Sequence, residues 1–299
     1  MTHFRANGKL LLTAEYTVLR GALALALPTR QGQTLQISPS GDTLMHWQSK
    51  AQDGSIWFEA TFASDFSVLK TSDHSVAKRL VAILKMAAEL NTGFNPFGSA
   101  AVTQLEFNRA WGLGSSSTLV ALIAQWAQVD ALQLFFKTQT GSGYDVAAAQ
   151  SDAPLLYRLV EDGLAEVSAT KFRPPFARDL AFVYLGQKQQ SDKEVARFAD
   201  CETSTEQLEA ISAITQKIIA CQTLAEFEKL LREHEHITGE IISQQPVQQR
   251  LFADYPGVVK SLGAWGGDFV LATQLDHAKV YFPQAGYATV LGWDDLFDF

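Results

Sequence analysis

Apolar and polar positions alternate through much of the first third of the chain, and a period of two predicts strands. Lys9-Leu-Leu-Leu-Thr13 and Ala22-Leu-Ala-Leu-Ala-Leu27 read as two strands around a bend that holds the polar Glu15. Pro28 is expected to end the second run, because proline removes a ladder donor. Thr34 to Ser38 and Ile56-Trp-Phe-Glu-Ala-Thr-Phe62 alternate as half-buried strands do. The period then changes. Val76, Leu80, Ile83, Leu84 and Ala87 recur at helical spacing, with Ser72 or Asp73 available as a cap. Ala101, Thr103, Leu105 and Phe107 return to period two, and Leu119, Leu122, Ile123, Trp126 and Val129 to the helical period. Between these two runs lies Gly112-Leu-Gly-Ser-Ser-Ser-Thr118, so the chain reads strand, glycine-serine turn, helix.

Further on, Leu155 to Arg158 reads as a strand, and the adjacent prolines of Lys171-Phe-Arg-Pro-Pro175 favour an extended connector. They set the expected domains at 1–170 and 171–299. Leu180 to Leu185 is a short apolar strand. Thr203-x-x-Glu206 and Thr223-x-x-Glu226 are capping-box patterns, each ahead of an amphipathic helix. His234 and His236, near the end of the second helix among glutamates, read as a solvated face, since the zinc spacing His-Glu-x-x-His is absent. Lys260-Ser-Leu-Gly263-Ala-Trp-Gly266-Gly267-Asp268 leads into the apolar Phe269 to Ala272 as a second glycine-rich loop, or as a plain hairpin.

Composition narrows the function classes. The 299 residues are 47% hydrophobic, enough for a packed core, with a formal net charge of −8. That balance argues against nucleic acid or an anionic membrane as the main partner, and leaves a small-molecule substrate. Monomer and homodimer both stay open. Cys201 and Cys221 have no close-spaced partners and suggest a reducing compartment. Arg5 to Leu12 resembles a signal peptide only faintly, and Glu15 interrupts its apolar run, so the expected location is cytoplasmic.

The candidate chemistry sits in the glycine-rich stretches. Gly112 and Gly114 allow backbone conformations that a Cβ disfavours. Ser115, Ser116, Ser117 and Thr118 supply hydroxyls at the start of the helix, where free N–H groups and the positive dipole end favour an anion. The stretch is either a phosphate-holding loop or a serine-rich cap on a core helix. In Thr140-Gly-Ser-Gly-Tyr-Asp145, two glycines precede one carboxylate, which is a helix cap or a reacting group. Neither a Gly-x4-Gly-Lys-Ser/Thr nor a clean Gly-x-Gly-x-x-Gly occurs.

Taken in order, Gly8-Lys9, Gly112-Leu-Gly-Ser-Ser116, Gly141-Ser-Gly143-Tyr-Asp145 and the Gly263 loop resemble the motifs of the GHMP kinases, named for galactokinase, homoserine kinase, mevalonate kinase and phosphomevalonate kinase. The resemblance runs from Gly8 to Thr273. It implies an α+β, two-domain fold: an N-terminal domain like domain 2 of ribosomal protein S5 and a ferredoxin-like C-terminal domain. It also implies ATP and Mg2+ as cofactors. Gly112, Leu113, Gly114, Ser115, Ser116 and Ser117 match the ATP phosphate loop, with Ser116 as the magnesium hydroxyl. Asp145 matches the aspartate that takes or orients the acceptor's proton, and Lys9 the lysine paired with it. Glu15, Gly143, Gly263, Ala264, Gly266, Gly267 and Asp268 match the phosphate- and substrate-facing loops.

Within that family, Gly8 to Leu19, Gly141 to Ala149 with Tyr157-Arg158, and the retained Asp268 are most similar to phosphomevalonate kinases, with mevalonate kinases next. The implied pathway is isoprenoid precursor synthesis. A binding protein that has lost turnover is the reading from another class. Ala14 and Trp265 stand where relatives carry glycine, and bulk at 265 is expected to narrow the cleft. No glutamate lies between Asp130 and Gly143, where many relatives hold magnesium; Gln133 and Gln139 stand there instead. Arg5, Lys137, Arg158 and Lys188 are the basic candidates for an acceptor phosphate.

Overall fold

Two strands near the start, β1 (Thr2–Leu11) and β2 (Ala24–Pro39), pair with each other, and each contributes to both structural units of the chain. The computed structural model describes residues 1–161, 163–186, 198–265 and 268–299. Its contacts form one unit from 1–8, 31–109 and 113–150, and a second from 9–30, 110–112 and 151–299.

In the first unit the strands run in the order β5–β4–β3–β6–β2, with β3 at Met45–Lys50, β4 at Ile56–Phe62, β5 at Val68–Thr71 and β6 at Ser99–Leu105. The β3/β6 pair is parallel, and the β5/β4, β4/β3 and β6/β2 pairs are antiparallel, the last joining Gln33–Pro39 of β2 to β6. Alternation does what the sequence predicts: Phe58, Ala60 and Phe62 of β4 are buried beside Met45 and Trp47 of β3. Four helices complete the unit: α1 (His74–Leu90), α2 (Ser115–Ala127), α3 (Ala131–Thr138) and α4 (Tyr144–Ala149). Asp73, not Ser72, caps α1 by accepting the N–H groups of Ser75 and Val76. Gly32 in β2 is required by close backbone approach, since a Cβ there would run into the Ala6 carbonyl of β1.

In the second unit, Ala24–Ala26 of β2 pair with β7 (Leu155–Glu161), which pairs with β8 (Leu164–Ala169). A separate antiparallel sheet runs β10–β11–β9–β12, from β9 (Leu180–Tyr184), β10 (Val259–Leu262), β11 (Phe269–Thr273) and β12 (Val290–Gly292). Helices α5 (Thr205–Ala220) and α6 (Leu224–Ile241), with the short α7 (Val247–Leu251), connect β9 to β10. Helix α8 (Leu275–Gln284) connects β11 to β12, and α9 (Trp293–Leu296) follows. This strand order with helical crossovers is the ferredoxin-like arrangement, and the chain as a whole is α+β.

Two expectations need correction. Pro28 does not end its strand: β2 continues to Pro39. The proline falls between the residues paired with β7 and those paired with β6, where its missing N–H costs neither of those ladders a bond. The cap of α5 is Ser204 with Gln207, one residue later than the Thr203/Glu206 pattern, because the Ser204 hydroxyl accepts the Gln207 N–H while the Gln207 amide takes the Ser204 N–H. Contacts group 1–8, 31–109 and 113–150 together, and 9–30, 110–112 and 151–299 together. Strand pairing decides this, since β7 and β8 are tied to the first half of β2.

Candidate active site

The glycine-serine stretch passes from one unit to the other twice, at 109/110 and at 112/113, and each unit holds its own set of candidate residues. In the first unit, Gly114 caps α2 in a left-handed conformation (φ 90°), so no side chain covers the helix start. Leu113 is buried, anchoring the loop. The Ser117 hydroxyl turns back to donate to the Gly114 carbonyl at 2.8 Å, and Thr118 donates to Gln33 Oε1 at 2.6 Å. Ser115 and Ser116 are left on the accessible side of the first turn. The Ser116 hydroxyl donates to Gln139 Oε1 at 3.4 Å, which places Gln139 beside the candidate metal hydroxyl.

Asp145 lies in the first turn of α4, behind Gly143 (φ 80°), where a carboxylate is favoured by the helix dipole. Its Oδ1 accepts the Val146 N–H at 3.0 Å, and α4 packs on α2. Gly143 therefore serves as the left-handed cap, and Asp145 is not the cap itself. Arg109, at the entrance to the loop, stacks its guanidinium over the Trp57 ring at 3.9 Å.

In the second unit, Lys9 Nζ donates to the Gly112 carbonyl at 3.1 Å. Gly112 has φ 67°, and a Cβ there would collide with the Asp268 carboxylate, so only glycine fits. The preceding residues are held by aromatics. Trp111 meets Phe269 edge-on at 5.8 Å and Tyr184 at 6.5 Å, while the Tyr184 hydroxyl donates to the Ala110 carbonyl at 3.1 Å. Burial, and secondarily the Asp268 carboxylate, push the Tyr184 hydroxyl pKa upward. Lys9, Gly112 and Asp268 thus come together in one unit.

Glu15 is fully buried and bonded to Lys260, beneath a bend in which Ala14 and Tyr16 both have positive φ (67° and 61°). The backbone at 14 explains why glycine suits this position. Gly263 (φ 69°), Ala264 and Trp265 open the β10–β11 hairpin; Gly266 and Gly267 lie outside the described residues. The expectation that Trp265 narrows a cleft is corrected, because its side chain is buried. It lies in a cluster with Tyr16, Phe198, Ile241 and Ile242, and Gly239 of α6 leaves room for the Gln244 carbonyl rather than for the ring. His234 is likewise buried, accepting the Ala14 N–H on Nε2 at 2.9 Å, so the expected solvated face is corrected; the adjacent His236 is the exposed one.

Of the basic candidates, Arg5 pairs with Glu106 at 2.9 Å, Lys137 is exposed in the last turn of α3, Arg158 is half-buried on β7, and Lys188 lies outside the described residues. Reasoning from sequence missed Lys260, Glu235, Trp111 and Tyr184. A lysine inside the apolar run Val258 to Leu262 was the available signal. Among the described residues no group of three or more His, Cys, Asp or Glu side chains could hold a metal ion, and no helix is long and apolar enough to cross a membrane.

No family model matches the chain, and no curated relative does. Solved structures do. The chain is similar to Streptococcus pneumoniae phosphomevalonate kinase in complex with phosphomevalonate and AMPPNP (TM-score 0.73, 15% identity, 98% of this chain and 100% of that one). It is also similar to Lactococcus lactis galactokinase complexed with galactose (0.69, 14%, 97% and 92%) and Methanococcus jannaschii mevalonate kinase (0.68, 15%, 97% and 96%). With the second sheet's strand order and near-complete coverage in both directions, these likenesses mean that the chain has the fold of the GHMP kinases.

Proposed function

We propose that this chain is an ATP- and Mg2+-dependent small-molecule kinase with phosphomevalonate as its acceptor. The observation that carries the reading is the loop at 112–116, where two left-handed glycines open a 13-residue helix without a side-chain cap and a lysine ammonium bonds the loop's own carbonyl. Phosphoryl transfer asks mainly for positioning and charge neutralisation, which a helix N-terminus and a lysine supply. In this reading Asp145 takes the proton of the acceptor's attacking hydroxyl. Lys9 steadies the loop and adds positive charge. The match of Gly8 to Leu19 and of Gly141 to Ala149, with Asp268 retained, supports phosphomevalonate over mevalonate.

Ser116 Oγ and Gln139 Oε1 are hard oxygen donors and fit Mg2+ as a neutral pair. The metal would supply neutralisation of the transferring phosphate, with the anionic ligands coming from the nucleotide. Gln139 in place of a carboxylate is also what favours the second reading, a nucleotide- or metabolite-binding protein without turnover. A coupled ADP-release assay across phosphomevalonate, mevalonate, homoserine and sugars separates them. Release with phosphomevalonate alone is the expected result; silence with every acceptor overturns the kinase reading.

A further inference from the structure

Strand β10 carries a lysine where burial calls for an apolar side chain. Lys260 is 0% exposed, and its ammonium lies 2.5 Å from Glu15 Oε1, 2.8 Å from the Ser261 carbonyl and 3.9 Å from Glu235 Oε1. A buried ammonium persists only when paired and bonded, and the distances commit this one to Glu15. His234 adds no charge. Its Nε2 accepts the Ala14 N–H, so that nitrogen bears no proton, and Nδ1 faces Thr238 Oγ1 at 3.4 Å. Burial and the nearby Lys260 hold its pKa well below the usual imidazole range, in agreement.

The charges therefore do not cancel if both carboxyls ionise. Among the described residues, the titratable groups acting on Glu235 are Lys260 on β10 and Glu15 from the bend, while the neighbouring His234 on the same helix places its Nε2 3.4 Å from Glu15 Oε2. The other neighbours of Glu235 are N–H donors: Ser261 on β10, at 3.2 Å, and Val247 at the start of α7. Among the described residues, Glu15 Oε2, Glu235 Oε2 and Ser261 Oγ find no hydrogen-bond partner. A proton on a carboxyl converts an orphan acceptor into a donor and removes the surplus charge.

The same cluster joins two loops of the second unit. Glu15 binds Lys260 and faces the Gly263 N–H, while the Trp265 N–H donates to the Tyr16 hydroxyl at 2.8 Å. We propose that Glu235 holds a proton in the working protein and that, with Lys260, it is a positioning residue fixing the loop at 263–265 to the bend at 14–16. The contribution of this positioning to turnover rests on the kinase reading above; the structural claim does not.

Burial pushes the Glu235 carboxyl up to about 8. A carboxyl raised on folding contributes stability that is complete below its ordinary range; it is lost by about tenfold in equilibrium constant per pH unit between that range and the folded value, and the loss is complete above the folded value. The test is hydrogen exchange on the full chain, in peptides covering 258–265, corrected for the intrinsic base dependence. Protection there should fall by up to about tenfold per pH unit between roughly pH 5 and pH 8 in the parent, level off above that, and lack this fall in Glu235→Gln, which keeps a neutral donor. An equal fall in both proteins, or none in the parent, overturns the proposal. Should the variant not fold, the infrared band of a protonated carboxyl in the parent decides: present at neutral pH and lost in alkali supports the proton, and absent at neutral pH overturns it. Neither readout needs turnover, so failure here is distinct from failure of the kinase reading. For an active enzyme, an alkaline fall in kcat identical in parent and Glu235→Gln overturns the positioning role.

Discussion

A single missing Cβ shapes the phosphate-loop candidate. Gly112 sits at φ 67° with the Asp268 carboxylate against its Cα, so two independent penalties meet any side chain there. The left-handed backbone alone costs an L-residue about 1–2 kcal/mol, and the collision adds to it. Gly112→Ala should therefore lower stability in urea by more than that strain alone, and Asp268→Ala in the same background should return the collision part. Equal losses with and without Asp268 would mean that the carboxylate does not press on the loop. The requirement for glycine was legible in the sequence, because glycines before a helix have few other uses. The partner that enforces it was not, since Asp268 lies more than 150 residues away along the chain. Ala14 teaches the converse: a non-glycine residue holds φ 67° because buried neighbours over-determine the bend, among them His234, which binds its N–H.

At the scale of elements, period and caps carried most of the information. Helices α1, α2, α5 and α6 and strands β4, β6 and β11 lie where hydrophobic spacing put them, because side chains three and four apart share a helix face and alternate residues share a strand face. Caps resolve the ends less sharply. Thr203 and Ser204 are equivalent by residue type, and only the geometry of the first turn selects Ser204. Ser204→Ala should cost about 1 kcal/mol by chemical denaturation, the usual worth of an N-cap hydroxyl. Thr203→Ser keeps a hydroxyl for the Arg20 guanidinium and should leave the helix end unchanged. No loss from Ser204→Ala would mean that Ser204 is not the cap. The length of β2 escaped the pattern for a related reason: Pro28 breaks a strand only where a ladder needs its N–H.

At the scale of the whole molecule, turnover is the property to test. Asp145→Asn keeps the size and the helix position of the side chain and removes the proton acceptor, so it should abolish turnover with little change in thermal stability. Near-normal rates would remove Asp145 from the mechanism. Lys9→Met removes the donor to the Gly112 carbonyl and one positive charge; it should slow turnover at nearly constant nucleotide affinity, and an unchanged rate would end its assigned role. The sequence by itself determined the local grammar of this protein: which stretches are strands or helices, where glycines free the backbone, and the order of motifs that resembles the GHMP kinases. Tertiary structure alone decided which distant segments share a unit, that His234 and Trp265 are buried rather than solvated or cleft-facing, and that Lys260 answers Glu15 in the core. The physical reason is range. Propensity and periodicity act over a few residues, whereas burial and charge pairing depend on neighbours that only the folded chain brings together.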